Sequence, residues 1–198
     1  MHPNPAFRGT PEAEALAFAL SRGFGTLTVN GAEVPLLAHV PFCAAGDALE
    51  CHLVRSNPAL RALPARAVLA VTGPDGYVSP DWYGLADQVP TWNYVAVHVE
   101  GQAEPLPAAE LRAHLDRLSA AFEARLDKAP WTAAKMTPEV LERMMRAIVP
   151  VRLTVEAVRS TFKLGQNKQP EARLAAAERI GGGVGSELAA LAAMMRDP

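Results

Sequence analysis

The chain has 198 residues, 49% of them hydrophobic and 20% charged, with a formal net charge of -2 and a pI near 6.2. That length supports one sizeable core, and the composition excludes a disordered or membrane-embedded chain. The mild acidity weakens the case for a dominant basic face of the kind that grips nucleic acid, because phosphate neutralisation needs clustered Lys and Arg, and leaves room only for a local patch.

Two cysteines, Cys43 and Cys51, are too few for a disulfide scaffold, and the opening MHPNPAFRGTPE has no basic region followed by an apolar run. A cytoplasmic protein is the expectation. No stretch approaches the roughly 18 uninterrupted apolar residues of a membrane helix. Thr10-Pro11-Glu12 starts a first helix, with Thr10 able to cap and Pro11 fitting the first position, and Gly23 ends it. From Phe24 the apolar period changes to two. FGTLTVN, the tight-turn signal Asn30-Gly31 and VPLLAHVPF predict a hairpin, and Gly46-Asp47 turns the chain into ALECHLV. Further strands are predicted at RAVLAV, YVAVHVEG and PVRLTVEAVRSTFKL. A helix around Pro107 to Leu126 and another opened by Thr137-Pro138-Glu139 lie between the last two.

Six or seven strands with few helices between them predict a mainly β fold, an antiparallel barrel with flanking helices, because closure removes exposed sheet edges. A single domain over residues 1–198 is expected, with the barrel and its inserted helices in 1–169 and a helical segment at 170–198. That tail reads as two helical pieces around a glycine-rich break. Its Gly183-Val184-Gly185 follows a helix and lacks the third glycine of a dinucleotide fingerprint.

The stretch Gly73 to Gly101 holds all three tyrosines and two of the three tryptophans. Rings with an apolar face and a polar edge suit a flat, partly polar ligand, and equally suit packing against a barrel. In HLVRSNP, His52 to Pro58, a strand gives way to a helix start. Free amides, the positive end of the helix dipole and Arg55 beside them fit an anion, while a plain capped junction with a solvated Arg55 fits as well. Thr161 to Lys168 gathers two lysines and two amides, as a ligand contact or as a solvated loop. His39, Cys43, Cys51 and His52 match no common zinc spacing, and strand alternation sets Cys51 and His52 on opposite faces, so no metal is expected. Ser79 has no nucleophile elbow around it.

At AHVPF (Ala38 to Phe42), HLVRSNP, GPDGYVSPDWY (Gly73 to Tyr83), VPTWNYVAVHVEG (Val89 to Gly101), Pro130-Trp131 and FKLGQNK (Phe162 to Lys168) the chain resembles the PaiB-like proteins. These are FMN-binding negative transcriptional regulators with the split-barrel fold of flavin reductases and pyridoxine phosphate oxidases. The resemblance implies a homodimer with FMN at the subunit interface. It implies Arg55, Ser56 and Asn57 at the phosphate, and Ser79, Trp82, Thr91, Trp92 and Asn93 around the ring and ribityl chain. Lys163, Gln166, Asn167 and Lys168 would close the pocket. Gly165 departs from the KLSQNK of the family, which removes one hydroxyl.

Two function classes follow, a flavin-linked protein with a redox or regulatory role and a transcriptional repressor without flavin chemistry. Direct DNA binding has little support, because Glu139 and Glu142 offset Arg143 and Arg146. Some split barrels bind haem, and His39, His52 and His98 are available ligands with nothing to single one out.

Overall fold

A computed structural model describes residues 1–198. The period-two segments form six main strands, β1 (Phe24–Val29), β2 (Leu36–Ala45), β3 (Ala48–Val54), β4 (Ala65–Val78), β5 (Thr91–Pro105) and β6 (Ile148–Lys163). The sheet order is β1-β2-β3-β6-β5-β4, and β1 pairs with β4 to close an antiparallel barrel. A two-residue strand, β7 (Gly185–Ser186), adds to β4 at Asp75 and Gly76. The helices are α1 (Glu12–Arg22), α2 (Pro58–Arg61), α3 (Leu111–Glu123), α4 (Pro138–Met145), α5 (Pro170–Arg179) and α6 (Leu188–Arg196). None is long and apolar enough to cross a membrane.

The chain forms two compact units, and β4, β5 and β6 each contribute to both. One comprises residues 18–70 and 98–158. There, alternation sends Leu27, Val40, Phe42, Leu53, Leu69, Val99, Val151 and Leu153 into a buried apolar core. Gly46, with φ +67, makes the two-residue connection from β2 to β3, where Cys43 faces Glu50 and Phe42 faces Cys51. Helix α3 packs on β2 and β3. It buries Leu111, His114 and Leu118, spaced along one helical face. On β5, Gly101 lies so close to β6 that a Cβ would stand 1.8 Å from the Thr154 carbonyl oxygen.

The other unit comprises residues 1–17, 71–97 and 159–198, with Val78, Val95, Val97, Ile180, Leu191 and Met195 fully buried. Gly76 gives the tail its seat, since a Cβ there would meet Leu188 and Leu191 at 2.9 Å and Ile180 at 3.1 Å. The Arg173 guanidinium on α5 donates to the Met195 and Arg196 carbonyls at 2.8 and 3.1 Å, satisfying orphan acceptors at the end of α6.

Three local expectations change. Asn30-Gly31 does not form a two-residue hairpin turn, because β2 begins only at Leu36 and residues 30–35 form a longer loop. The strand predicted at RAVLAV does not end at Val71 but continues to Val78, and Asp75 and Gly76 find ladder partners in β7. The glycine-rich break of the tail supplies that strand, so its glycines serve a close backbone approach, with Asp75 O 2.2 Å from a Cβ built at Gly185.

Candidate functional site

The sequence-predicted residues fall into two groups, one in each unit. Arg55, Ser56 and Asn57 form the turn that follows β3. Their turn is closed by the Asn57 N–H donating to the Val54 carbonyl at 2.8 Å. Asn57 is the N-cap of α2, its Oδ1 accepting from the Ala59 N–H at 2.9 Å, and Pro58 fills the first helical position. Arg55 is oriented by the junction of α4 and β6, since its N–H donates to Ala147 O at 2.8 Å and its Nε to Arg146 O at 3.0 Å. Ser56 is exposed. Arg55 and Arg146 edge a cleft of about 380 Å³ with an apolar floor that includes Leu106, Leu111, Met145 and Val149.

The second group is built on the start of β5. Alternation places Thr91 and Asn93 on one face of the strand and Trp92 and Tyr94 on the other. Asn93 is buried and donates its amide to the Met195 sulfur at 3.5 Å, while the Trp92 indole is 45% exposed with Tyr77 edge-on to it. The last residue of β6, Lys163, reaches this strand. Its Nζ donates to the Trp92 carbonyl at 2.7 Å and to the Thr91 hydroxyl, and lies 5.9 Å from the centre of the Phe7 ring.

Lys168 follows on the next turn, donating to Gln88 and standing 5.0 Å over the Tyr83 ring. Burial, with Lys168's charge adding to it, pushes the Lys163 ammonium below its ordinary range. Two like charges are therefore held close together at one edge of the sheet. Gln166 is occupied within the loop, accepting from Leu164 N at 2.7 Å and donating to Phe162 O at 2.5 Å, whereas Asn167 is exposed. Gly165 between them has φ +83. Ser79 caps a short 3-10 helix (Pro80–Tyr83) with no side-chain bond to it, and Trp82 on that helix lies against Gly183.

The structure thus brings Thr91, Trp92, Lys163 and Lys168 together, with Asn93 beside Met195 and Gln166 stabilising the loop. Gln88 and Phe7 join them from segments that no motif marks, and Tyr83 joins them from the end of the GPDGYVSPDWY motif. Two ammonium groups, a hydroxyl and an exposed indole meet the needs of an anion joined to a flat aromatic system.

The model of the family described as "Putative FMN-binding domain" matches residues 1–157. The chain belongs to this FMN-binding domain family. It is also 32% identical over 168 residues to the protease synthase and sporulation protein PAI 2 of Bacillus subtilis (strain 168), covering 82% of this chain and 80% of that protein. Among solved structures, a conserved hypothetical protein of Mycobacterium tuberculosis superposes with a TM-score of 0.58 at 20% identity, over 83% of this chain and 92% of that one. The flavocytochrome Anf3 of Azotobacter vinelandii gives 0.51 at 20% identity, over 75% and 66%. An FAD and heme binding protein of Mycobacterium smegmatis gives 0.50 at 22% identity, over 71% and 65%. The chain spans about two thirds of the length of these last two, and at such identities the likeness is one of fold.

Proposed function

We propose that this family member is an FMN-dependent protein of the PaiB-like type with a redox or regulatory role, in which Lys163 and Lys168 hold the anionic cofactor at the start of β5. The observation that carries the reading is the pair of lysines converging on Thr91, Trp92 and Gln88. An anion there relieves the mutual repulsion that, after burial, lowers Lys163. FMN, when bound, supplies one- or two-electron redox chemistry. The chain's own part is to hold and tune it. Trp92 and Tyr77 offer aromatic surface, Thr91 a hydroxyl, and a lysine cation beside the ring favours its anionic reduced form. Arg55, oriented by α4 and β6, and Asn57 serve the phosphate, with Ser56 beside them, this group and the lysine pair coming from different subunits of a dimer. Ser79, Trp82, Asn93, Gln166 and Asn167 shape the surrounding pocket.

The protein acts as a homodimer. Leu85, Val89 and Trp92, at 47%, 73% and 45% exposure, leave apolar surface on one short segment that a second copy would cover. Cys43 and Cys51 are free and buried, which suits a reducing cytoplasm.

The test is a visible spectrum of the purified protein followed by FMN titration of wild type, Lys163→Met and Arg55→Ala. Loss of a charge-assisted contact worth about 1.5–3 kcal/mol weakens FMN roughly 10- to 100-fold. Wild-type protein that ignores FMN, or folded variants that bind it unchanged, would refute the assignment.

A further inference from the structure

We infer that Glu50, His114 and His52 form an acid-released latch that fastens α3 to β3. Glu50 and His52 are two residues apart on β3 and share a face, which α3 covers with His114. Glu50 and His114 are both 0% exposed. The Nε2 of His114 lies 3.1 Å from the Nδ1 of His52, and its Nδ1 lies 3.4 Å from the Glu50 Oε2 with no other partner.

The proton positions follow from these contacts. One hydrogen must sit between the two rings. If His114 supplied it from Nε2, the lone pair on its neutral Nδ1 would face a buried carboxylate. If His52 supplies it from Nδ1, His114 carries its own hydrogen on Nδ1, directed at Glu50. The second arrangement removes the repulsion, and it leaves the half-buried His52 with a bare Nε2 as the proton acceptor of the chain.

A first added proton rests on that Nε2 and keeps both contacts. A second fills every ring nitrogen, so two N–H groups face each other at 3.1 Å with no acceptor between them. The surroundings offer no relief. Glu50 is already engaged by Arg117 of α3 at 2.5 Å and by Arg152 of β6 at 2.8 Å, and Arg152 is shared with Glu110 at 3.3 Å. The remaining titratable neighbours are two buried thiols that burial pushes up and keeps neutral, Cys43 of β2, paired across the ladder with Glu50, and Cys51, next to Glu50 on β3. Separation of α3 from β3, with hydration of both rings, is what discharges the pair.

The experiment uses the full chain. Nitrogen-15 spectra at pH 7.5 should show His114 with its hydrogen on Nδ1, and a hydrogen on Nε2 instead overturns the latch. Hydrogen exchange then follows the α3 amides between pH 6.5 and 4.5, corrected for intrinsic rates. Wild type should lose at least tenfold of its α3 protection through an opening smaller than global unfolding, and the double variant His52→Gln, His114→Gln should stay flat. Exchange of α3 only by global unfolding, or the same pH-dependent loss in the double variant, overturns it. If that variant does not fold, the wild-type tautomer and the size of the wild-type opening decide.

Discussion

Replacing His114 by Gln should flatten the acid limb of the stability profile. Burial, with the positive fields of His52 and Arg117 adding to it, drives the imidazole from 6.5 down to about 4, against the opposing pull of Glu50. A histidine held neutral in the native state binds fewer protons there than in the unfolded chain, so stability falls as pH drops from 6.5 towards 4 and is level outside that window. At about 1.4 kcal/mol per pH unit, the linkage amounts to roughly 3 kcal/mol in full, about 2.5 of it lost by pH 4.5. That is a large share of the roughly 5–15 kcal/mol of a typical domain. His52, also lowered by burial, acts in the same sense. Glu50 does not confuse the window. Burial would raise its carboxyl, but the bonds from Arg117 and Arg152 hold it below the usual range, so its stabilisation is lost only as pH falls below about 4.5. Urea unfolding at pH 7.5, 6.5, 5.5 and 4.5 should give wild type a steeper decline than His114→Gln, whatever their offset at neutral pH. Parallel curves between pH 6.5 and 4.5 would refute the burial of a neutral imidazole.

Two further substitutions test the packing that supports the candidate site. Gly101→Ala pushes a methyl onto the Thr154 carbonyl oxygen, 1.8 Å away, so β5 and β6 must part. Thermal unfolding should show destabilisation of at least the roughly 1–3 kcal/mol of an overpacked core. Gly165→Ser restores the hydroxyl of the family motif in a space whose nearest atoms, Arg173 Cγ at 3.4 Å and Asn93 Nδ2 at 3.6 Å, leave room for a Cβ. The cost lies in φ +83, so the variant should lose about 1–2 kcal/mol by chemical denaturation. An unchanged midpoint would show that the loop adopts another backbone.

Much of the barrel is legible locally. The period-two runs, the Gly46 turn and the Gly23 helix end each have a nearest-neighbour cause, and each stands where the sequence predicts it. The extension of β4 past Val71 is not legible in that way, because the ladder partner of Asp75 and Gly76 lies more than a hundred residues further along the chain. The candidate site divides similarly. Lys163, Lys168, Thr91, Trp92 and Tyr83 lie in the motifs of the resemblance, whereas Gln88 and Phe7 are chosen by proximity alone. The Glu50 network escapes sequence reading for a related reason. An alternating strand sends Glu50 to its outer face, where solvent is the natural expectation, and only α3 turns that face into an interior.

By itself, then, the sequence determined the antiparallel strand series, its helices and the motif set of an FMN-binding family, because periodicity, caps and turns act over a few residues. Tertiary structure alone decided which cations meet which strand and which carboxylate is buried. Those outcomes depend on side chains far apart in sequence sharing one space, and no local pattern encodes that distance.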